Sequence, residues 1–87
     1  MWQFSKHAIQ RIKERDYLEE ELIQILQEKI PAIVIPSPRD EEVDLYFGEI
    51  SGKFVLIVVN KKSNTIITVR PMHKNEKTYF LKEFKNE

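Results

Sequence analysis

His7, Arg11 and Arg15 recur at intervals of four. A helix would carry all three along one stripe, drifting about 40° per step. Two guanidiniums offer forked donors that match phosphate oxygens, and an imidazole exchanges a proton near neutral pH. Such a row can grip a phosphodiester and move a proton beside it. The plainer reading is a solvated helix face on which Arg11 or Arg15 pairs with a nearby carboxylate. A second group gathers around the last strand and the segment beyond it: Arg70, His73, Lys74, Glu76, Lys77 and Tyr79. Arg70 shares a strand face with Ile66 and Thr68 if alternation is regular. Tyr46 joins Thr68 and Arg70 on an open face if Val43, Leu45 and Phe47 point to the core. A cation, a phenol and imidazoles suit RNA cleavage. That reaction needs the 2′-hydroxyl deprotonated, the pentavalent phosphorane's charge stabilised and the leaving oxygen protonated. The plainer alternative is an Arg70 ion pair at a strand end.

Other chemistries find little support. There are no cysteines and only two histidines, His7 and His73, with no His-x-x-x-His or carboxylate cluster at ligand spacing. No metal site and no cofactor are expected. Two glycines, Gly48 and Gly52, cannot build a phosphate-cradling loop. A Ser-His-Asp triad has no support either. The 14 basic and 14 acidic residues cancel, which argues against a generic nucleic-acid binder. By segment the charge is uneven: residues 1–15 carry +3, 16–30 carry −4, 31–50 carry −4, 51–70 carry +4 and 71–87 carry +1. Local patches of either sign therefore survive the average.

The elements that must position these residues fit one domain over 1–87. Ser5 is a plausible N-cap for a helix to about Arg15, with Phe4, Ala8 and Ile12 as its apolar stripe. Asp16 with Glu19 has capping-box spacing. Leu18, Leu22, Ile25 and Leu26 predict a second helix to about Glu28, ended by Pro31. Ala32 to Ile35 reads as an edge strand, because Pro36 comes next. Val43, Leu45 and Phe47 alternate with polar or smaller neighbours, and Ser51-Gly52 makes a hairpin turn to the apolar run Phe54 to Val59. Lys61-Lys62-Ser63-Asn64 makes the next turn, Thr65 to Arg70 the last strand, and Asn75 can cap a final helix over about 76–84. The expected fold is α+β: two helices, a mainly antiparallel four-stranded sheet and a C-terminal helix. The N-terminus has no apolar signal region, no run is long enough to span a bilayer, and the absence of cysteine suits a reducing cytosol.

The segment from Ile67 to Tyr79 resembles the C-terminal signature of BrnT-type toxins, where a strand ending I-S-A-R precedes a helix with E-x-x-Y. Arg70, Glu76 and Tyr79 match by position, with Thr68 for the Ser and Val69 for the Ala. The opening His7-Ala8-x-x-Arg11-x-x-x-Arg15 is similar to an uncharacterised bacterial domain family of about this length. BrnT toxins are RelE-like ribonucleases, so the resemblance implies a cytoplasmic, RelE-like toxin of a toxin–antitoxin pair. It would cleave RNA by 2′-hydroxyl attack without a metal. Arg70, His7, Arg11, His73 and Tyr79 would be the catalytic candidates, with Arg15, Tyr46, Lys74, Lys77 and Glu76 binding substrate. The partners implied are RNA, ribosome-bound mRNA included, and a cognate antitoxin, with a second copy of the chain also allowed. The alternative is a non-catalytic protein-binding module on the same scaffold.

Overall fold

A computed structural model describes residues 1–85. Along the chain run β1 (Gln3–Phe4), α1 (Lys6–Arg15), α2 (Glu19–Leu26), β2 (Ala32–Pro36), β3 (Val43–Ile50), β4 (Lys53–Asn60), β5 (Thr65–Pro71) and α3 (Lys74–Lys85). They form an α+β fold around one five-stranded mixed sheet of order β1-β5-β4-β3-β2. The hairpin-linked strands pair antiparallel, and β1 pairs parallel with β5. Four strands are expected from the sequence; the fifth is β1, two residues long and too short to leave a periodicity. β4, apolar on both faces, lies at the centre, and the proline-flanked β2 lies at an edge.

Helices cover both faces of the sheet. Ala8 and Ile12 of α1 and Leu22, Ile25 and Leu26 of α2 pack on Ile50, Val55, Ile57, Val59, Ile66 and Val69. On the other face Phe80 of α3 packs on Phe47 and Leu56, with Phe54 edge-on to it at 6.0 Å between ring centroids. Tyr46 and Arg70 do not share a face: the register aligns Tyr46 with Ile57 and Val69, and Arg70 with Leu56 and Phe47. Leu45 and Phe47 do point into a core, but it is the one beneath α3. Tyr46 lies on the α1/α2 side, against the larger core. Alternation identifies which residues are coplanar; it does not say which face a helix will choose.

Two local features depart from regular spacing. Val58 pairs with Thr68 but Val59 pairs with Ile66, so Ile67 is an extra residue in a β-bulge. The bulge puts Ile66 and Val69 in the same core and separates Ile66 from Thr68 and Arg70. The hairpins turn where expected: Ser51 and Gly52 both adopt positive φ, 51° and 82°, as does Asn64 at 56°, the backbone that tight turns require. Asp16, by contrast, does not start α2. It closes α1 in the left-handed region at φ 57°, with its N–H on the Ile12 carbonyl. The N-cap of α2 is Leu18, which has no side-chain cap. Asn75 is likewise already inside α3, which begins at Lys74.

α2 lies close on β3 because Gly48 has no side chain. A Cβ there would stand 2.8 Å from Cδ1 and 3.1 Å from Cγ1 of the fully buried Ile25. Such overpacking costs about 1–3 kcal/mol. Gly48→Ala is expected to lower the urea midpoint accordingly, without changing the denaturant slope; an unaltered midpoint would show that α2 moves aside freely.

Candidate functional site

β1 covers β5 only at Thr65 and Ile66, so the sheet edge beyond the bulge is not extended by a strand. α1 lies there instead. Its start is fixed by Ser5, whose hydroxyl donates to the Ile67 carbonyl at 2.7 Å and accepts from the Ala8 N–H at 3.0 Å. The Ser5 N–H meanwhile donates to the Ile66 carbonyl at 3.0 Å. With Ala8 and Ile12 held in the core, the row one residue earlier on the helix is turned to the strand edge. His7, Arg11 and Arg15 thus meet Thr68 and Arg70 around an open cleft of about 360 Å³. Sequence spacing alone puts the two basic groups in separate constellations. The fold joins them.

Within the cleft, Arg11 donates from Nε to Nε2 of His7 at 3.4 Å and from Nη1 to Oε1 of Glu14 at 3.1 Å. Both members of the Arg11–Glu14 pair are about two-fifths exposed, with side-chain values of 41% and 45%. An incoming anion can therefore displace Glu14 at small cost, because exposed pairs hold by only about 0–1 kcal/mol. Arg15 forms no ion pair among the described residues.

Arg70 is held more firmly. Its Nη1 and Nη2 each donate to a carboxylate oxygen of Glu76 at 2.9 Å, and Nη1 also donates to the Pro71 carbonyl at 2.9 Å. Glu76 in turn accepts the His73 N–H at 2.7 Å, closing the first turn of α3. This arrangement occupies the end of the guanidinium. Nε–H and the second Nη2–H, which together form its other forked edge, have no partner among the described residues. One edge is anchored and the other can take a phosphate or carboxylate. The two hydrogen bonds from Arg70 pull the Glu76 carboxyl below its ordinary range, more than partial burial raises it.

The remaining candidates lie elsewhere. Tyr46 is on the opposite side of β3 from Leu45 and Phe47, paired with Ile57 and Val34 in the sheet and away from the cleft. Burial there pushes its phenol up, with Asp44 and Glu28 adding to the shift. His73 stands beside Glu76, with Nδ1 3.9 Å from Oε1, and does not line the cleft. Lys74 flanks α3 with Asn75 and Thr78, and Tyr79 sits with Ile35, Phe47 and Glu76 on the β2 side of α3. Lys77 borders a second hollow together with Arg15, Tyr17, Lys53 and Phe54. Tyr17, Lys53 and Phe54 are not among the candidates that sequence spacing singles out. A lysine directly after a Ser-Gly turn, facing a basic helix end, is the one signal that could have found them.

The fold and cleft define a small α+β protein with a cationic groove at the uncovered edge of its sheet. A comparison with known families, with curated proteins and with solved structures finds no match for the chain. No group of three or more His, Cys, Asp or Glu side chains that could hold a metal occurs among the described residues, and no helix there is long and apolar enough to cross a membrane.

A carboxyl whose pKa is lowered by folding contributes stability above its unfolded value, near 4.5, and loses that contribution as pH falls through the folded value. Glu76→Gln is therefore expected to cost about 1–3 kcal/mol at pH 7 and much less near pH 3. Urea unfolding at the two pH values reads the difference; an equal cost at both would assign the effect to packing.

Proposed function

We propose that the chain is an endoribonuclease of the RelE-like kind, the toxin of a toxin–antitoxin pair, acting by 2′-hydroxyl attack on a phosphodiester. The observation that carries this reading is the meeting of His7, Arg11 and Arg15 from α1 with Thr68 and Arg70 from β5 in one open cleft. In the reaction Arg11 turns from His7 to a phosphate, and the Nε2 so freed takes the proton of the 2′-hydroxyl. The 2′-oxygen then bonds to phosphorus, the bond from phosphorus to the 5′-oxygen breaks, and a cyclic phosphate remains. The imidazolium so formed, or water, returns a proton to the leaving oxygen. Arg70 meets the developing charge of the phosphorane with its free forked edge, and Arg11 and Arg15 hold the strand's phosphates. Of the two histidines only His7 lines the cleft, which supports assigning it the proton transfer. Glu76 is a positioning residue for Arg70, and Tyr79 and His73 stand outside the reacting zone.

Two observations favour a second reading, a non-catalytic protein-binding module: Glu76 already neutralises Arg70, and a single imidazole lines the cleft.

Growth after controlled expression in a bacterium, beside cleavage of single-stranded RNA by the purified chain, separates the two readings. The enzyme reading expects arrest by the parent, relief by Arg11→Ala/Arg70→Ala, and about a hundredfold slower cleavage by His7→Ala. His7 is exposed, so that variant keeps the fold. No cleavage by well-folded parent protein, with a stable complex formed with a neighbour-encoded protein, would select the binding module.

A further inference from the structure

The cleft does not end at Arg15. That side chain also borders a second hollow of about 360 Å³, lined further by Tyr17, Lys53, Phe54, Met72 and Lys77. The hollow is at the small end for a ligand site, which typically spans about 300–1,000 Å³. Its composition is unusual. Arg15, Lys53 and Lys77 supply three cations, and no carboxylate lines it. None of the three forms an ion pair among the described residues. Instead the ammonium of Lys53 rests over the Tyr17 ring, 5.7 Å from its centroid, and that of Lys77 rests over the Phe54 ring at 4.7 Å. The two rings stand on different elements, Tyr17 after α1 and Phe54 on β4, and both pack against the cores.

We propose that this hollow is a nucleotide subsite that takes the base and phosphate next along a single-stranded RNA from the scissile bond. The ligand's identity rests on the ribonuclease reading, while the site's geometry stands without it. The rings are half-buried, and the lysine ammoniums resting on them are themselves on exposed side chains, so the contact is weaker than a charge-assisted one to phosphate. An arriving phosphate draws Lys53 and Lys77 off the rings and onto its oxygens, with Arg15 as the shared bridge to the cleft. The ring faces so released accept a base by stacking, which is how proteins hold unpaired RNA without reading its sequence. The lysines thus keep the aromatic faces covered until an anion arrives. An isolated base, lacking phosphate, has no means of moving them.

The test measures binding separately from cleavage. A fluorescent, 2′-O-methylated pentanucleotide cannot undergo the reaction, and its anisotropy reports affinity for the full chain. Lys53→Ala/Lys77→Ala is expected to weaken binding about tenfold near 0.1 M salt, and to flatten the plot of log affinity against log salt by about 1.4. Both lysines are exposed, so the variant keeps its fold. An abasic strand of equal length should bind about tenfold more weakly to the parent, with the difference lost in Tyr17→Leu. Equal affinity and slope for the lysine variant and the parent would overturn the subsite, even where the parent arrests growth and cleaves RNA. So would a parent that binds no oligonucleotide at low salt but captures an acidic protein. Loss of binding in the lysine variant, with no cleavage by the parent, would keep the subsite and remove the catalytic reading.

Discussion

The Ser5 hydroxyl donates to the carbonyl of a bulged strand residue and accepts from the first turn of a helix, with both contacts at or under 3.0 Å. One oxygen thereby ties the start of α1 to the point where β5 departs from regular pairing. The bulge itself supplies the carbonyl, since the extra residue Ile67 leaves the ladder. Everything at the sheet edge depends on this joint. It decides how far along β5 the helix begins, and therefore that the His7-Arg11-Arg15 row runs beside Thr68 and Arg70. A helix begun one residue later would rotate the row by about 100° and bury a different face.

Arg70 shows how one carboxylate can both order and limit a site. Glu76 fixes the guanidinium through two parallel hydrogen bonds and simultaneously closes the first turn of α3 through the His73 N–H. The position of the cation is thus linked to α3, which packs on Arg70's own face of the sheet and not on the face that carries α1. That link lowers the entropy lost when a phosphate binds, because the side chain is already placed. It also weakens the field the cation can offer, since its charge is already paired. Orientation is gained at the expense of charge, and Arg15, unpaired and exposed, supplies what Arg70 lacks.

Much of this is legible in the sequence where the signal is local. Ser5 as an N-cap, the Ser51-Gly52 and Asn64 turns, the central strand and the proline-flanked edge strand arise from short-range chemistry, and the structure has each of them. The illegible parts depend on partners distant in sequence. Alternation groups Tyr46 with Arg70 because it cannot show the register between strands, which aligns Tyr46 with Ile57 and Val69 and puts Arg70 with Leu56 and Phe47 on the other face. Asp16 offers an oxygen three residues before Glu19, yet it serves better as a left-handed helix end, which Asp tolerates. The two-residue β1 and the bulge at Ile67 are set by strand pairing and leave no periodicity. The same holds for the cleft: its two halves are each visible in the sequence, and the parallel pairing of β1 with β5 and the Ser5 joint that follows it bring them together.

The zero net charge takes on a different meaning once the sheet order is known. Residues 1–15 and 51–70 are basic and residues 16–50 acidic. The basic segments form α1, β4 and β5, while the acidic ones form α2, β2 and β3, so the order β1-β5-β4-β3-β2 sorts charge toward opposite edges. The sorting is partial. Lys61 and Lys62 at the β4–β5 turn reach across to Asp44 and Glu42, which cancels two of the four cations in their segment. Of the other two, Lys53 borders the hollow with no ion-pair partner among the described residues, while Arg70 borders the cleft with one edge paired to Glu76. Pairing therefore removes positive charge at the β4–β5 turn and leaves it at Lys53, at the opposite end of β4. An anion responds to that local field within about a Debye length, some 8 Å at physiological salt, and hardly at all to the sum over the chain.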